Sequence, residues 1–159
     1  MTRTWTFDAP SEAAVDRLGE LLAAALPERA VVALIGTLGA GKTRLVRAVA
    51  QAVGIDPRTV VSPTFVLVQQ YHGERSLTHL DVYRLKDLDE FEALGPEEYF
   101  ESPGWTFIEW ADRVAESLPL EVLRIEIEVT GLTSRRFVVS SASEYYAECL
   151  ERLDQARSD

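Results

Sequence analysis

Cysteine is almost absent from this chain. A single Cys149 in 159 residues excludes an intrachain disulfide and a cysteine-built cluster, and its expected role is that of a small buried hydrophobe in the last helix. Asparagine is missing altogether, and lysine occurs only at Lys42 and Lys86. Without asparagine the chain cannot contain the Asn-Lys-x-Asp element that commonly selects guanine. His72 and His79 are the two histidines, and neither has a second histidine or a cysteine at ligand spacing, which argues against a zinc site. No apolar run is long enough to span a bilayer. The opening "MTRTWTFDAP" lacks the apolar core of a secretory signal. A cytoplasmic protein without a membrane partner is therefore expected. Basic residues are outnumbered 16 to 26, for a net charge of −10. Such a chain repels nucleic-acid backbones, so contact with RNA is expected only through partner proteins.

The remaining composition, 47% hydrophobic and 26% charged, is that of a globular protein. Residues 1–159 read as one α/β domain whose sheet mixes parallel and antiparallel strands between helices. "TWTF" has strand composition. From Ser11 to Leu26, the residues Val15, Leu18, Leu22 and Leu26 share one helical face. "AVVALI", Ala30 to Ile35, suits a strand buried on both faces. A second helix carries Leu45, Val46, Val49 and Val53, with Gly54 as its expected C-terminal stop. "TFVLVQQY" and "SLTHLDVYRL" read as a hairpin across "HGER". "LDEFEAL" reads as a short acidic helix, "WTFIEW" as an apolar strand entering a glutamate, and "ADRVAESL" as a short helix before Pro119. Leu123, Ile125, Ile127 and Val129 alternate with charged residues as one half-buried strand, paired with "RRFVVS" across a turn at Gly131. Ser141 and Glu144 stand at capping-box spacing ahead of a last helix that buries Tyr146, Leu150 and Leu153.

Between the apolar strand and the second helix lies "GTLGAGKT", Gly36, Thr37, Leu38, Gly39, Ala40, Gly41, Lys42 and Thr43, which satisfies G-x-x-x-x-G-K-[ST] in full. Gly36, Gly39 and Gly41 permit backbone conformations that turn successive N–H groups inward. The helix that follows aims its positive dipole end at the same point. Lys42 is placed to reach the β- and γ-phosphates of a nucleotide, and the Thr43 hydroxyl to ligate Mg²⁺.

Transfer or hydrolysis needs an acid at the end of an adjacent strand. Glu109 follows "WTFI" and Asp81 follows "LTHL"; each is equally readable as a solvated carboxylate. In "SPTF", Ser62 to Phe65, the hydroxyls beside Pro63 suit either a γ-phosphate-sensing segment or a simple strand-entry turn.

The series "GTLGAGKTRLVRAVAQAVG", "VSPTFVLVQQY", "LTHLDVYRL" followed by "ALGPEEYF", and "FIEWADR" resembles the TsaE (YjeE) family of bacterial ATPases, from roughly Ser11 to Ser140. The resemblance implies a P-loop α/β fold and an ATPase that is weak alone. It implies work with the TsaD–TsaB pair, in which TsaD transfers a threonylcarbamoyl group to adenosine 37 of tRNA, ATP hydrolysis resetting the complex between turnovers. By motif position it assigns the phosphate cradle to Gly39 through Thr43, Mg²⁺ to Thr43 and Glu109, and an essential acid near the γ-phosphate to Asp81. Lys42, Asp81 and Glu109 would thus carry the chemistry. Thr64 would lie in a switch-like loop, Trp110 beside the site, and adenine near Ser11, Glu12 and the stretch from Gly131 to Arg135. Thr37 and Arg44 depart from the family, which usually has an acid and a second threonine there.

A small-molecule P-loop kinase is the rival reading. It would need an acceptor pocket and commonly an arginine-bearing lid, and no arginine-rich insertion is present in the sequence.

Overall fold

The computed structural model describes residues 1–61 and 68–157. Ser62 to Leu67, and with them Thr64 and the "SPTF" stretch, lie outside the described residues. Seven strands form one sheet: β1 (Arg3–Ala9), β2 (Arg29–Ile35), β3 (Val68–His72), β4 (Ser76–Asp81), β5 (Gly104–Glu109), β6 (Leu123–Val129) and β7 (Arg135–Ser141). Their spatial order is β1-β7-β6-β2-β5-β4-β3. The inner strands β6, β2, β5 and β4 run parallel, and β3, β7 and β1 add antiparallel flanks. The sheet is therefore mixed, as the sequence predicts.

Because β2 is buried on both faces, its alternate residues feed two cores. Val32 and Leu34 pack beneath α1 (Glu12–Ala25), α2 (Lys42–Ala52) and α5 (Ala147–Arg157), with Leu18, Leu22, Leu45 and Val49. Val31 and Ala33 face the other way, toward Leu80, Phe91, Phe100 and Ile108 under α3 (Leu88–Glu92) and α4 (Pro96–Glu101). α1 starts where expected, with the Ser11 side chain accepting from the Ala14 N–H. It crosses α2 closely because position 19 carries no side chain: a Cβ on Gly19 would stand 2.5 Å from the Ala48 carbonyl carbon. Among the described residues no helix is long and apolar enough to cross a membrane.

Four local expectations are corrected. Val129 is exposed, because β6 runs past the edge of the core after Ile127. Ser141 does not cap the last helix: its hydroxyl donates to the Val122 carbonyl, and Ser143 accepts from the Tyr145 N–H instead. Tyr146 is buried, but in a 3-10 turn ahead of α5, where its hydroxyl accepts from the Val31 N–H at 2.9 Å. Residues Ala111–Ser117 form 3-10 turns kinked at Val114 rather than one α-helix. Helix α4, unmarked by periodicity because it has six residues, begins with Pro96 just inside its N-terminus after Gly95 at φ +67°.

Candidate functional site

The parallel strands end together. Register pairs Leu34 with Glu109 and Asp81 with Glu109, so Leu34, one residue before the end of β2, and the last residues of β4 and β5 form one row at the carboxyl end of the parallel strands. Ligand sites of parallel α/β sheets open at this end. Beyond Ile35 the glycine loop leaves the row and enters α2 through Gly41 at φ +110°, a conformation that a side chain would strain. A cavity of 360 Å³ lies over the row, lined by Gly39, Gly41, Lys42, Thr43, Asp81 and Glu109, with Tyr83, Arg84 and Trp110 at its sides. Two segments separated by dozens of residues thus deliver both strand-end acids to the loop.

The polar groups are buried and mutually bonded. The Thr43 hydroxyl donates to Glu109 Oε2 at 2.6 Å. His79, fully buried on β4, sets Nε2 2.5 Å from the same oxygen, while its Nδ1 meets no hydrogen-bond partner among the described residues. Asp81 accepts from the Tyr83 N–H at 2.9 Å. Lys42 Nζ donates to the carbonyls of Gly36 (2.7 Å) and Thr37 (3.0 Å) and lies 3.7 Å from the centre of the Trp110 ring. Burial lowers the lysine pKa, and the nearby carboxylates of Glu109, Asp81 and Asp112 oppose that shift. Trp110 adopts the left-handed region at φ 62°, the sole non-glycine to do so among the described residues. That conformation costs about 1–2 kcal/mol and turns the chain out of β5 so that the indole meets Lys42 on one side and Tyr83 at 4.7 Å.

Next to the loop lies a second cavity of 440 Å³. Ser11 and Glu12 border it from α1, Leu132, Thr133 and Arg135 from the β6–β7 hairpin, and Gly39 to Gly41 from the loop. Both stretches expected near adenine therefore converge on one hollow beside the cradle. Arg44, at the departure from the family pattern, lines both cavities and is held by Asp16 Oδ1 at 2.7 Å and the Glu12 carbonyl at 3.1 Å.

Sequence reasoning passed over His79 as a polar partner because its contact, Glu109, is 30 residues away on the neighbouring strand. The strand endings "THLD" and "FIE" held the signal, since acids ending two parallel strands become neighbours when the strands pair in that register.

A glycine loop leaving the end of a central parallel strand of a mixed sheet, with strand-end acids beside it, defines a P-loop type of α/β protein. The family described as "Threonylcarbamoyl adenosine biosynthesis protein TsaE" matches residues 9–137, and the chain belongs to that family. It is 40% identical over 124 residues to a tRNA threonylcarbamoyladenosine biosynthesis protein TsaE of Treponema pallidum, spanning 78% of this chain and 91% of the relative. The protein of the same name from Bacillus subtilis is 38% identical over 139 residues, 87% of this chain and 86% of its own. A crystal structure of Bacillus subtilis YdiB superimposes with a TM-score of 0.85 at 30% identity, covering 99% of this chain and 98% of the other.

Proposed function

We propose that this protein binds ATP with Mg²⁺ in the cradle of residues 36–43 and hydrolyses it, slowly alone and faster on a TsaD–TsaB complex. Hydrolysis resets that complex between rounds of threonylcarbamoylation of adenosine 37 in tRNA. The observation that carries the reading is the meeting of Thr43, Asp81 and Glu109 at one wall of the cavity beside Lys42. Family membership supplies the pathway.

The donors suit magnesium. The Thr43 hydroxyl and the Glu109 carboxylate are hard oxygens. Among the described residues no group of three or more His, Cys, Asp or Glu side chains is arranged to hold a metal ion; the protein would supply a partial shell that nucleotide phosphates and water complete. Thr43 and Glu109 would hold the ion, which when bound neutralises charge on the β- and γ-phosphates. Lys42 exchanges its two carbonyl partners for phosphate oxygens, and their negative charge offsets the cost of burying the ammonium. Asp81, tethered by the Tyr83 N–H, stands at the γ-phosphate end. Water attacks the γ-phosphorus, the bond to the leaving ADP oxygen breaks, and the proton passes to solvent or a strand-end carboxylate. Adenine occupies the second cavity, between α1 and the hairpin.

The test is ATP turnover by the purified chain, alone and with TsaD and TsaB. Slow turnover that rises when the partners are added is expected. Turnover should fall in Asp81→Ala; full partner-stimulated activity in that variant would remove Asp81 from the mechanism. Rapid phosphorylation of a metabolite without partners would favour the kinase reading.

A further inference from the structure

From the contacts of Arg135 we infer that it is the positioning residue of the phosphate loop, a brace reaching the loop from the β6–β7 hairpin. The inference rests on the reading of residues 36–43 as a phosphate cradle. Arg135 Nε donates to the Ala40 carbonyl at 3.0 Å and Nη2 to the Gly39 carbonyl at 3.4 Å, while Nη1 donates to the carbonyls of Gly131 at 3.0 Å and Ser134 at 2.8 Å. A guanidinium has five N–H donors. Four of them are spent on backbone carbonyls, two in the loop and two in the hairpin. Such a side chain is committed to holding chain against chain rather than to receiving a ligand.

The consequence for the loop follows from the planarity of the peptide bond. In a trans peptide the carbonyl and the next residue's N–H lie in one plane and point in opposite directions. Turning the Ala40 carbonyl onto Arg135 therefore sends the Gly41 N–H the other way. Gly39 and Gly41, at φ +80° and +110°, allow these orientations without a Cβ clash. The rest of the loop is held by itself: Gly36 and Thr37 carbonyls accept from Lys42, Thr37 also accepts from the Ala40 N–H, and the Gly41 carbonyl starts the helical ladder by accepting from the Leu45 N–H. When Lys42 leaves for phosphate, its two bonds to the loop are lost. Arg135 is then the side chain that still fixes the carbonyls of residues 39 and 40. Because the same guanidinium grips Gly131, and the neighbouring Leu132 is fully exposed at the hairpin tip, the conformation of the tip and that of the cradle are mechanically joined.

The experiment is calorimetric binding of ATP and of inorganic tripolyphosphate to the full chain and to Arg135→Ala, Arg135→Lys and Arg135→Gln. A brace predicts that Arg135→Ala weakens both ligands by the same factor, on the order of ten-fold for lost charge-assisted bonds. Arg135→Lys should fail to rescue, since one ammonium cannot span both sets of carbonyls. Weakening of ATP alone would make Arg135 a base or ribose contact, and unchanged binding would leave it no role; either result overturns the inference, as does full rescue by lysine, the mark of a simple charge effect. Should the alanine variant not fold, the lysine and glutamine variants decide the question. A wild-type chain that binds neither ligand would instead refute the cradle reading itself.

Discussion

Between the sheet and helices α1 and α2, aliphatic side chains such as Leu18, Leu22, Val32 and Val49 are buried, whereas at the strand ends beside the glycine loop the buried groups are Lys42, His79, Asp81 and Glu109. The two regions adjoin the same sheet and differ in what burial does. In the first, each side chain removed from water stabilises the fold by about 1.5–3 kcal/mol. In the second, burial penalises charge, and the penalty is offset only by a set of short polar contacts. Lys42, with its pKa lowered by burial, and Trp110, in a left-handed conformation, are features that a stability-optimised core would not retain. Conformational cost concentrated at one end of the sheet is what a preorganised site looks like, and it separates substitutions into two kinds.

The largest effect is expected from Lys42→Ala, which should lower partner-stimulated ATP turnover on the order of 10³-fold, as loss of a cation that stabilises phosphoryl transfer does. Its unfolding free energy in urea should be unchanged or raised, because a partly desolvated ammonium is removed. Leu22→Ala should show the opposite: about 3 kcal/mol lost in urea unfolding from the cavity created, with turnover per folded molecule kept. A Lys42→Ala chain destabilised as much as Leu22→Ala would erase the distinction between the regions.

A smaller effect sharpens it at one residue. Trp110→Gly should be more stable than Trp110→Ala by about 1 kcal/mol, since glycine adopts φ 62° without strain. Equal thermal midpoints would show that no strain is stored there. The smallest effect concerns the apolar region at high pH. Burial pushes Cys149 and Tyr146 up to about 12 from ordinary values of 9.0 and 10.0. Their contribution to stability is complete below those ordinary values and is lost as the pH rises toward 12. Cys149 should thus resist thiol reagents at pH 8 and react as the fold opens in alkali; rapid labelling of the native chain would contradict its burial.

The elements of the cradle were legible because they are local. A buried strand, three glycines, a lysine and a helix follow one another within Ala30 to Ala52, and their chemistry depends on neighbours in sequence. Asp81 and Glu109 were legible as candidates because each ends an apolar strand, although their meeting depends on β4 pairing with β5. Other features arise from contacts far apart in the chain. His79 acquires its partner from the register of those strands, and Arg135 reaches Ala40 across 95 residues. Ser141 illustrates the converse: its spacing to Glu144 matches a capping box, yet β7 extends to Ser141 and the Val122 carbonyl takes its hydroxyl. Local pattern marked the candidate phosphate loop, and tertiary pairing determined which polar groups lie beside it.

The most direct test of the account is repeated tRNA threonylcarbamoylation in a system reconstituted from TsaD, TsaB and this chain, comparing wild type with Glu109→Gln. The variant keeps the size of the side chain and removes the charge that would hold Mg²⁺ with Thr43. Wild type is predicted to sustain many rounds of modification per complex, and the variant, given ATP binding, to stall after about one round. Equal product from the two, in the absence of measurable ATP cleavage by the variant, would contradict a role for hydrolysis.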